Sequence, residues 1–416
     1  MSAQRASDDA PPQFSGIKMR VLTPEFSAAR EASGSLLAIL ASLAALGTLA
    51  TNILLPSLPK IASSFDVPTS ATGSIMSAFF ATFALGQLFV GPLSDRYGRR
   101  PAIVAGLAIF AAGSIVCAVA LTLSTLVVGR IIQAIGVCAS SVLSRAIARD
   151  LFSGNELGRV LSFIMVAMAA APGFSPLLGG GLDYAFGWRA TFVSVALFGL
   201  LLGPAYAFYV GETHHAARVR LDPAAIVRGY VSLLHDRRFI VPAASVSMVI
   251  GGLFAVFTVT PAILVDGLGF TPLTLSLFYA GTVFIVFGAG FAAPRLARSA
   301  GLAAVTSYGL IIASTGCVVM AMFALVGFRN FASYLLPIIV FLFGMGLVNP
   351  LGTALTLSPF GDRAGFASAL LGFMQMAAAA IAIVATTILP FSPFLALSLV
   401  LAMLTTAAFL VFFARA

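Results

Sequence analysis

A charged turn, Gly91-Pro92-Leu93-Ser94-Asp95-Arg96-Tyr97-Gly98-Arg99-Arg100-Pro101, sits between two long apolar runs at about 71–92 and 101–121. Asp95 lies within reach of Arg96, Arg99 and Arg100, so these residue types predict a local ion-pair network. Gly91-Pro92 is expected to end a helix, because proline lacks an N–H and the residue before it avoids the α region. Gly98 allows a tight reversal, and Pro101 suits the first turn of the next helix. Charges flanked by apolar helices on both sides belong in water at a membrane surface, and the plainer reading is a loop that only sets helix orientation. A second candidate is Arg130, read as the one ionisable side chain well inside an apolar run, with Gln133 three residues on along the same helix face. A guanidinium there requires a cavity or a polar partner; an arginine snorkelling outward is the alternative. Asn52 closes the first run, and its amide binds by hydrogen bonds but exchanges no proton near neutral pH.

The elements that must position these groups are helices. The chain has 416 residues, 60% of them hydrophobic and only 9% charged, where a soluble domain carries roughly 25% charged residues. Twelve apolar runs follow one another from about 35–56 to 392–413, including 124–146, 159–182 and 239–263. Each is about 20 residues or more, enough to cross a hydrocarbon core of roughly 30 Å as a helix. The predicted fold is an all-α integral membrane protein with two pseudo-symmetric six-helix bundles. Its expected parts are a polar cytoplasmic tail over 1–33, a first bundle over 34–210, a linker over 211–238 and a second bundle over 239–416.

Charge placement orients the chain. With the N terminus inside, nineteen of the 23 basic residues fall on one side, three (Lys60, Arg189 and Arg329) on the other, and Arg130 within a span. That split follows the positive-inside rule and puts both termini in the cytoplasm. It also accounts for the formal charge of +9 without a nucleic-acid partner. Cys117, Cys138 and Cys317 lie in apolar runs at spacings that suit neither a disulfide framework nor zinc. His214 and His215 stand in the linker with no cysteine or acid cluster beside them, so no metal and no cofactor is expected.

The fifth run contains Ala171-Pro172-Gly173-Phe174-Ser175-Pro176-Leu177-Leu178-Gly179-Gly180-Gly181. Pro172, Pro176, Gly179 and Gly180 thin and bend a membrane helix so that neighbours approach closely. Polar side chains in otherwise apolar helices mark a central cavity between the halves. Gln87, Asn349 and Gln375 are the amides expected to line it with Asn52 and Gln133, and Phe174, Phe257 and Tyr279 are among the aromatic candidates. For any single phenylalanine of the 36, ordinary core packing is the commoner fate.

The turn closely resembles the loop between the second and third helices of major facilitator superfamily transporters, Gly-x-x-x-Asp-Arg-x-Gly-Arg-Arg. Gly91, Asp95, Arg96, Gly98, Arg99 and Arg100 fill every specified position. The resemblance implies a cytoplasmic latch against the other half that supports alternating access. Arg130, Gln133 and Gly136 match the fourth-helix Arg-x-x-Gln-x-x-Gly of drug-exporting facilitators, where the arginine is implicated in proton coupling or substrate binding. The fifth run is similar to the antiporter motif ending Gly-Pro-x-x-Gly-Gly, with Ser175 in place of its first glycine. With Asn52-Ile53-Leu54-Leu55-Pro56, Gly187-Trp188-Arg189 and Ser358–Ala369, the whole of 35–413 resembles the Bcr/CflA branch of drug:proton antiporters. That branch usually has aspartate where Asn52 stands, and none of the 14 acids is read as lying mid-membrane.

These features imply a monomeric secondary exporter of small amphipathic molecules in a bacterial inner membrane, with the proton as the expected coupling ion. A specific metabolite transporter or uniporter of the same fold is the alternative, favoured by Asn52. A membrane-embedded enzyme would need a nucleophile with a base or paired ligands inside a span, and no histidine or acid is read there. A receptor or channel fits poorly with twelve spans in two halves and the latch motif.

Overall fold

A computed structural model describes residues 33–152, 154–213 and 223–414, almost all of them helical. The polar tail up to residue 32 and the His214-His215 pair lie outside the described residues. The helices are α1 (Gly34–Asn52), α2 (Leu58–Ser64), α3 (Gly73–Tyr97), α4 (Arg99–Ala118), α5 (Leu123–Leu151), α6 (Gly154–Phe186) and α7 (Arg189–Tyr209). They continue as α8 (Pro223–His235), α9 (Arg237–Pro261), α10 (Pro272–Ala300), α11 (Leu302–Val326), α12 (Phe331–Leu357), α13 (Ala364–Ile388) and α14 (Pro393–Phe413). Among the described residues eleven segments are long and apolar enough to cross a membrane, the first of them joining α1 and α2 through a 3-10 turn at Leu55–Ser57. The twelfth is α6, 33 residues long and free of charged side chains from Val160 to Leu182. Helix starts are fixed by short polar side chains. Thr122 accepts from the Thr125 N–H, Thr271 accepts from the Thr274 N–H, and Asn330 and Ser333 cap each other reciprocally.

The two bundles repeat one packing scheme. In the first, α4 lies against α5 and α7; in the second, α11 lies against α12 and α14. Apolar side chains gain little from one another in lipid, so close contact needs small residues at the crossing. A Cβ on Gly136 of α5 would lie 2.7 Å from Phe110 Cα of α4, and one on Gly344 of α12 would lie 2.9 Å from Ala313 Cβ of α11. The reversals match as well. Gly98 alone joins α3 to α4 at φ +101°, and Gly301 alone joins α10 to α11 at φ +86°. Between the bundles, α3 runs along α13 and α6 along α10. Gly173 and Gly180 face α10, where a Cβ would meet Val283 at 2.7 Å and Ser276 Oγ at 2.5 Å. Gly179 faces the other way, and a Cβ there would run into the Ile53 carbonyl.

One helix boundary differs from the sequence expectation. α3 does not stop at Gly91-Pro92 but continues through Pro92 to Tyr97, leaving Gly98 as the whole turn. Pro92 has no N–H to give the carbonyl four residues back, which is that of Leu88. The hydroxyl of Tyr230, on α8, donates to that carbonyl at 3.0 Å. Burial pushes the Tyr230 hydroxyl up to about 12, so it stays a neutral donor at any physiological pH. The same device recurs at Pro261, whose freed partner is the Phe257 carbonyl: Tyr279 on α10 donates to it at 2.7 Å. At these two prolines a neighbouring helix restores the acceptor bond that proline removes.

Tyr230→Phe is expected to destabilise the purified protein by about 1–2 kcal/mol, because it leaves a carbonyl bare. In Pro92→Ala, where the helix can supply its own donor, the same change is expected to cost much less. A thermal-unfolding double-mutant cycle showing no coupling between the two positions would refute the Pro92–Tyr230 link.

Candidate functional site

A cavity of about 360 Å³ lies on the seam between the bundles. α1, α3 and α5 line it from one side, α9, α12 and α13 from the other. Gln87, Asn349 and Gln375 supply amides, Ser141, Thr353 and Ser368 hydroxyls, and Phe79, Phe80, Phe83 and Phe254 aromatic surface. Phe80 and Phe254 meet across the seam with ring centroids 4.4 Å apart. Beyond that contact, at the end of the bundles bearing Asp183, the Leu55–Ser57 turn reaches both α9 and α10. In the other direction Gln87, Val142, Arg145 and Ser368 are shared with a recess of about 160 Å³ that reaches Asp95, Arg99 and Arg149. The cavity therefore shares walls with a recess at the arginine-rich end of the molecule.

The charged turn stands at the mouth of that recess. Asp95 pairs with Arg99 Nη1 at 2.8 Å, and Arg99 Nε reaches Asp150 at 3.1 Å. Arg99 also donates to Ser94 Oγ. The first two backbone N–H groups of α4, those of Arg99 and Arg100, donate to the Glu212 carboxylate at 2.9 and 3.2 Å. A carboxylate there caps the helix and complements its dipole. Arg96 is exposed and lies over the Tyr97 ring at 5.3 Å. These pairs lie within the first bundle, apart from Glu212 at the start of the linker. Across the recess from Gly91 and Asp95 stand Gly365, Phe366, Ser368 and Ala369, the first turns of α13.

Arg130 and Gln133 come together as their spacing predicts, fully buried. Arg130 donates to Gln133 Oε1 and, at 3.2 Å, to the Ala50 carbonyl of α1. Gln133 passes the chain on to Ser114 Oγ of α4 at 2.7 Å. The guanidinium also lies 4.0 Å from the centroid of Phe79, whose ring stands between it and the cavity. Such a cation–π contact is worth about 2 kcal/mol or more when desolvated. Arg130 thus joins α1, α3, α4 and α5 without lining the cavity. Asn52 is buried too; its Nδ2 donates to the Thr48 carbonyl at 2.9 Å, and its Oδ1 has no partner.

The other residues named from the sequence separate into two groups. Gln87, Asn349 and Gln375 line the cavity together, while Asn52, Gln133, Phe174, Phe257 and Tyr279 do not. Phe174 is 63% exposed on the outside of α6. Phe257 and Tyr279 pack on each other at 5.4 Å inside the second bundle, where Tyr279 serves the Phe257 carbonyl. Pro172, Pro176, Gly179 and Gly180 lie within α6 along its close contacts with α10 and the first span.

Membrane spans in two matched bundles, a cavity on the seam and the charged reversal at its mouth are what the alignment then explains. The Major Facilitator Superfamily family model matches residues 40–383. The chain belongs to this superfamily. Multidrug resistance protein D of Escherichia coli (strain K12) is 31% identical over 83% of this chain and 86% of its own length. The bicyclomycin resistance protein homolog of Haemophilus influenzae is 29% identical over 79% and 82%. A bacterial homolog of the human lysosomal transporter Spinster superposes with a TM-score of 0.71 at 16% identity, over 91% of this chain and 96% of that one. This facilitator is a multi-pass membrane protein with a small-molecule substrate, and its family makes it a transporter rather than an enzyme.

Three features of this facilitator site escaped the sequence reading. Arg145 was counted with the cytoplasmic arginines, yet it lies more than one turn inside α5 and lines the cavity. Its proximity to a boundary hid it, since the span's end was drawn at 146. Glu212 is not singled out by the sequence; the available signal is its position just after the sixth span, on the side of the turn's bare helix start. Asp183 was placed at a span end, but its side chain is 1% exposed and paired with Lys60 Nζ at 3.1 Å.

Arg130→Ala is expected to lower the thermal stability of the purified protein by several kcal/mol, because it strands the Ala50 carbonyl and Gln133 amide in the interior (about 1–3 kcal/mol each). Gln133→Leu made in the Arg130→Ala background is expected to cost less than Gln133→Leu alone. Unchanged unfolding of Arg130→Ala would remove Arg130 from the helix-bridging role.

Proposed function

We propose that this protein is a secondary exporter of small amphipathic molecules, working by alternating exposure of the cavity on the bundle seam. The observation that carries the reading is the cavity itself. Both bundles line it, aromatic contact closes it at one end, and at the other it shares walls with the recess at the arginine-rich end. Placing that end in the cytoplasm follows the positive-inside rule and puts both termini there, in the inner membrane of a bacterium. A molecule entering from the cytoplasm or the inner leaflet would settle among the phenylalanines and amides. Rocking of the bundles would then close the recess and open the other end. The drug-resistance names of the relatives support export of antibiotic-like compounds by the Bcr/CflA type of antiporter. The protein acts as a monomer in this reading, because one chain supplies both walls of the cavity.

The charged turn acts as the latch for the closed recess. Asp95 faces the start of α13 across the recess, and the N-terminus of a helix carries a partial positive charge. Closure would bring carboxylate and helix end together while Arg99, Asp150 and Glu212 hold the turn rigid. The same motif is therefore internally paired when the recess is open and shared between bundles when it is shut.

Coupling to protons is the expected drive, but uncoupled facilitated transport has a specific observation in its favour. Among the described residues no carboxylate lines the cavity, and Asn52 holds an amide beside it. The test is proton movement in everted vesicles under an imposed pH gradient, with phenicols and uncharged dyes as cargo. Gradient collapse that requires active protein supports antiport; cargo equilibration without proton movement supports the facilitator. Asp95→Asn is expected to insert normally and lose most transport in either case, and undiminished transport by that variant would overturn the latch.

A further inference from the structure

The membrane-embedded charges are of one sign. Among the described residues the cavity wall carries a single charged group, the guanidinium of Arg145, and no acid. Among the described residues its one polar contact is with the Met168 sulfur, at 3.8 Å, and no carboxylate there pairs with it. The arginine behind the wall, Arg130, has backbone, amide and sulfur partners and likewise no acid. The acids nearest the mouth, Asp95 and Asp150, are engaged with Arg99. Asp183, the one acid buried among the described residues, is held by Lys60 at the opposite end.

Two unneutralised guanidinium groups in a region of low dielectric make a positive interior. A permanent cation entering the cavity meets like charge with no acid to offset it. The remaining attraction for a cation is aromatic: Arg130 already occupies Phe79, which leaves Phe80, Phe83 and Phe254, whose pull is set against the full positive charge of Arg145. For an anion the arrangement is reversed. Arg145 offers several N–H donors of fixed charge, and Gln87 and Ser368 border the same neck. The apolar end is also positioned. Phe80, at the closed end, precedes Gln87 by seven residues on α3, roughly 10 Å along the helix.

We infer that the cavity selects amphipaths with an anionic head, the head seated at Arg145 in the neck and an aromatic body roughly 10 Å deeper against Phe80 and Phe254, and that it discriminates against lipophilic cations. Neutral molecules of the same shape are accepted through the amides and rings alone. Arg145 is then a specificity-determining residue. This inference rests on the reading of the cavity as the transport site.

The test uses three fluorescent probes that share one aromatic body: dansylglycine as the anion, dansylamide as the neutral form and a dansyl-aminoethyl-trimethylammonium as the fixed cation. Binding is measured by fluorescence on the purified full-length protein in lipid nanodiscs, and carriage separately in vesicles. Wild type is expected to bind the anion about tenfold or more tightly than the cation, as one uncompensated charge contact implies. Arg145→Gln is expected to abolish most of that preference while dansylamide binding changes less than about threefold, which also reports that the variant is folded. Arg145→Lys is expected to keep part of the preference. Equal binding of cation and anion by wild type, an unchanged anion-to-neutral ratio in Arg145→Gln, or no binding of any probe would each overturn the inference. Selective binding without carriage would leave the inference standing and refute the export reading instead.

Discussion

Hydrocarbon offers a bare backbone carbonyl no donor, and at two helix breaks this constraint decides which elements are tied together. Proline breaks the helix ladder at Pro92 and at Pro261, and each break is repaired from a neighbouring helix by a tyrosine hydroxyl. The repairs are also what connects elements. Tyr230 ties α8, which lies between the bundles in sequence, to α3 of the first bundle. Tyr279 ties α10 to α9 within the second. With the ladders intact, small residues let helices approach closely, as Gly136 does against Phe110 and Gly344 against Ala313. Each bundle is held in this way as a unit. What remains between the units is a seam made by two helix pairs, and the cavity lies on it.

Much of this was legible in the residues. Apolar runs of span length, the sidedness of arginine and the spacing of the turn are all local or compositional, so they survive without knowledge of tertiary contacts. The one-residue reversal at Gly98 and its repeat at Gly301 follow from glycine's access to positive φ. Facing was not legible. Phe174, Phe257 and Tyr279 occupy lipid-facing or core positions because nearly every residue of a membrane helix is apolar, so periodicity loses its contrast. Five amides stand out against that background by polarity; Gln87, Asn349 and Gln375 line the cavity, while Asn52 and Gln133 are buried behind its wall. The helix running through Pro92 was missed because its missing donor is replaced from 142 residues away, at Tyr230. Arg145 was missed because a boundary error of a few residues moves a charge from loop to cavity.

Placement of charge then separates the two ends of the pathway. Toward the arginine-rich end, acids and arginines are paired within the first bundle around Arg99, next to a recess that divides them from α13. Toward the other end, beyond the closed aromatic contact, Lys60 and Asp183 hold the first span to α6. In between, the charge is positive only. Any drive that this transporter uses must act on that interior, through the cargo's own charge or through groups at its two ends.

The account's central claim is that two internally rigid bundles exchange an open recess at one end for an opening at the other. It is tested most directly by electron–electron distance measurements on paired spin labels. One pair would sit at Arg149 and Arg363 across the arginine-rich end, a second at Ser63 and Asp266 across the opposite end, and a control pair within the first bundle. All four of the first positions are exposed. On adding cargo or shifting pH, the first distance is expected to shorten as the second lengthens, with the control unchanged. Distances that stay fixed at both ends during measured transport, or a control that moves as much as they do, would contradict the account.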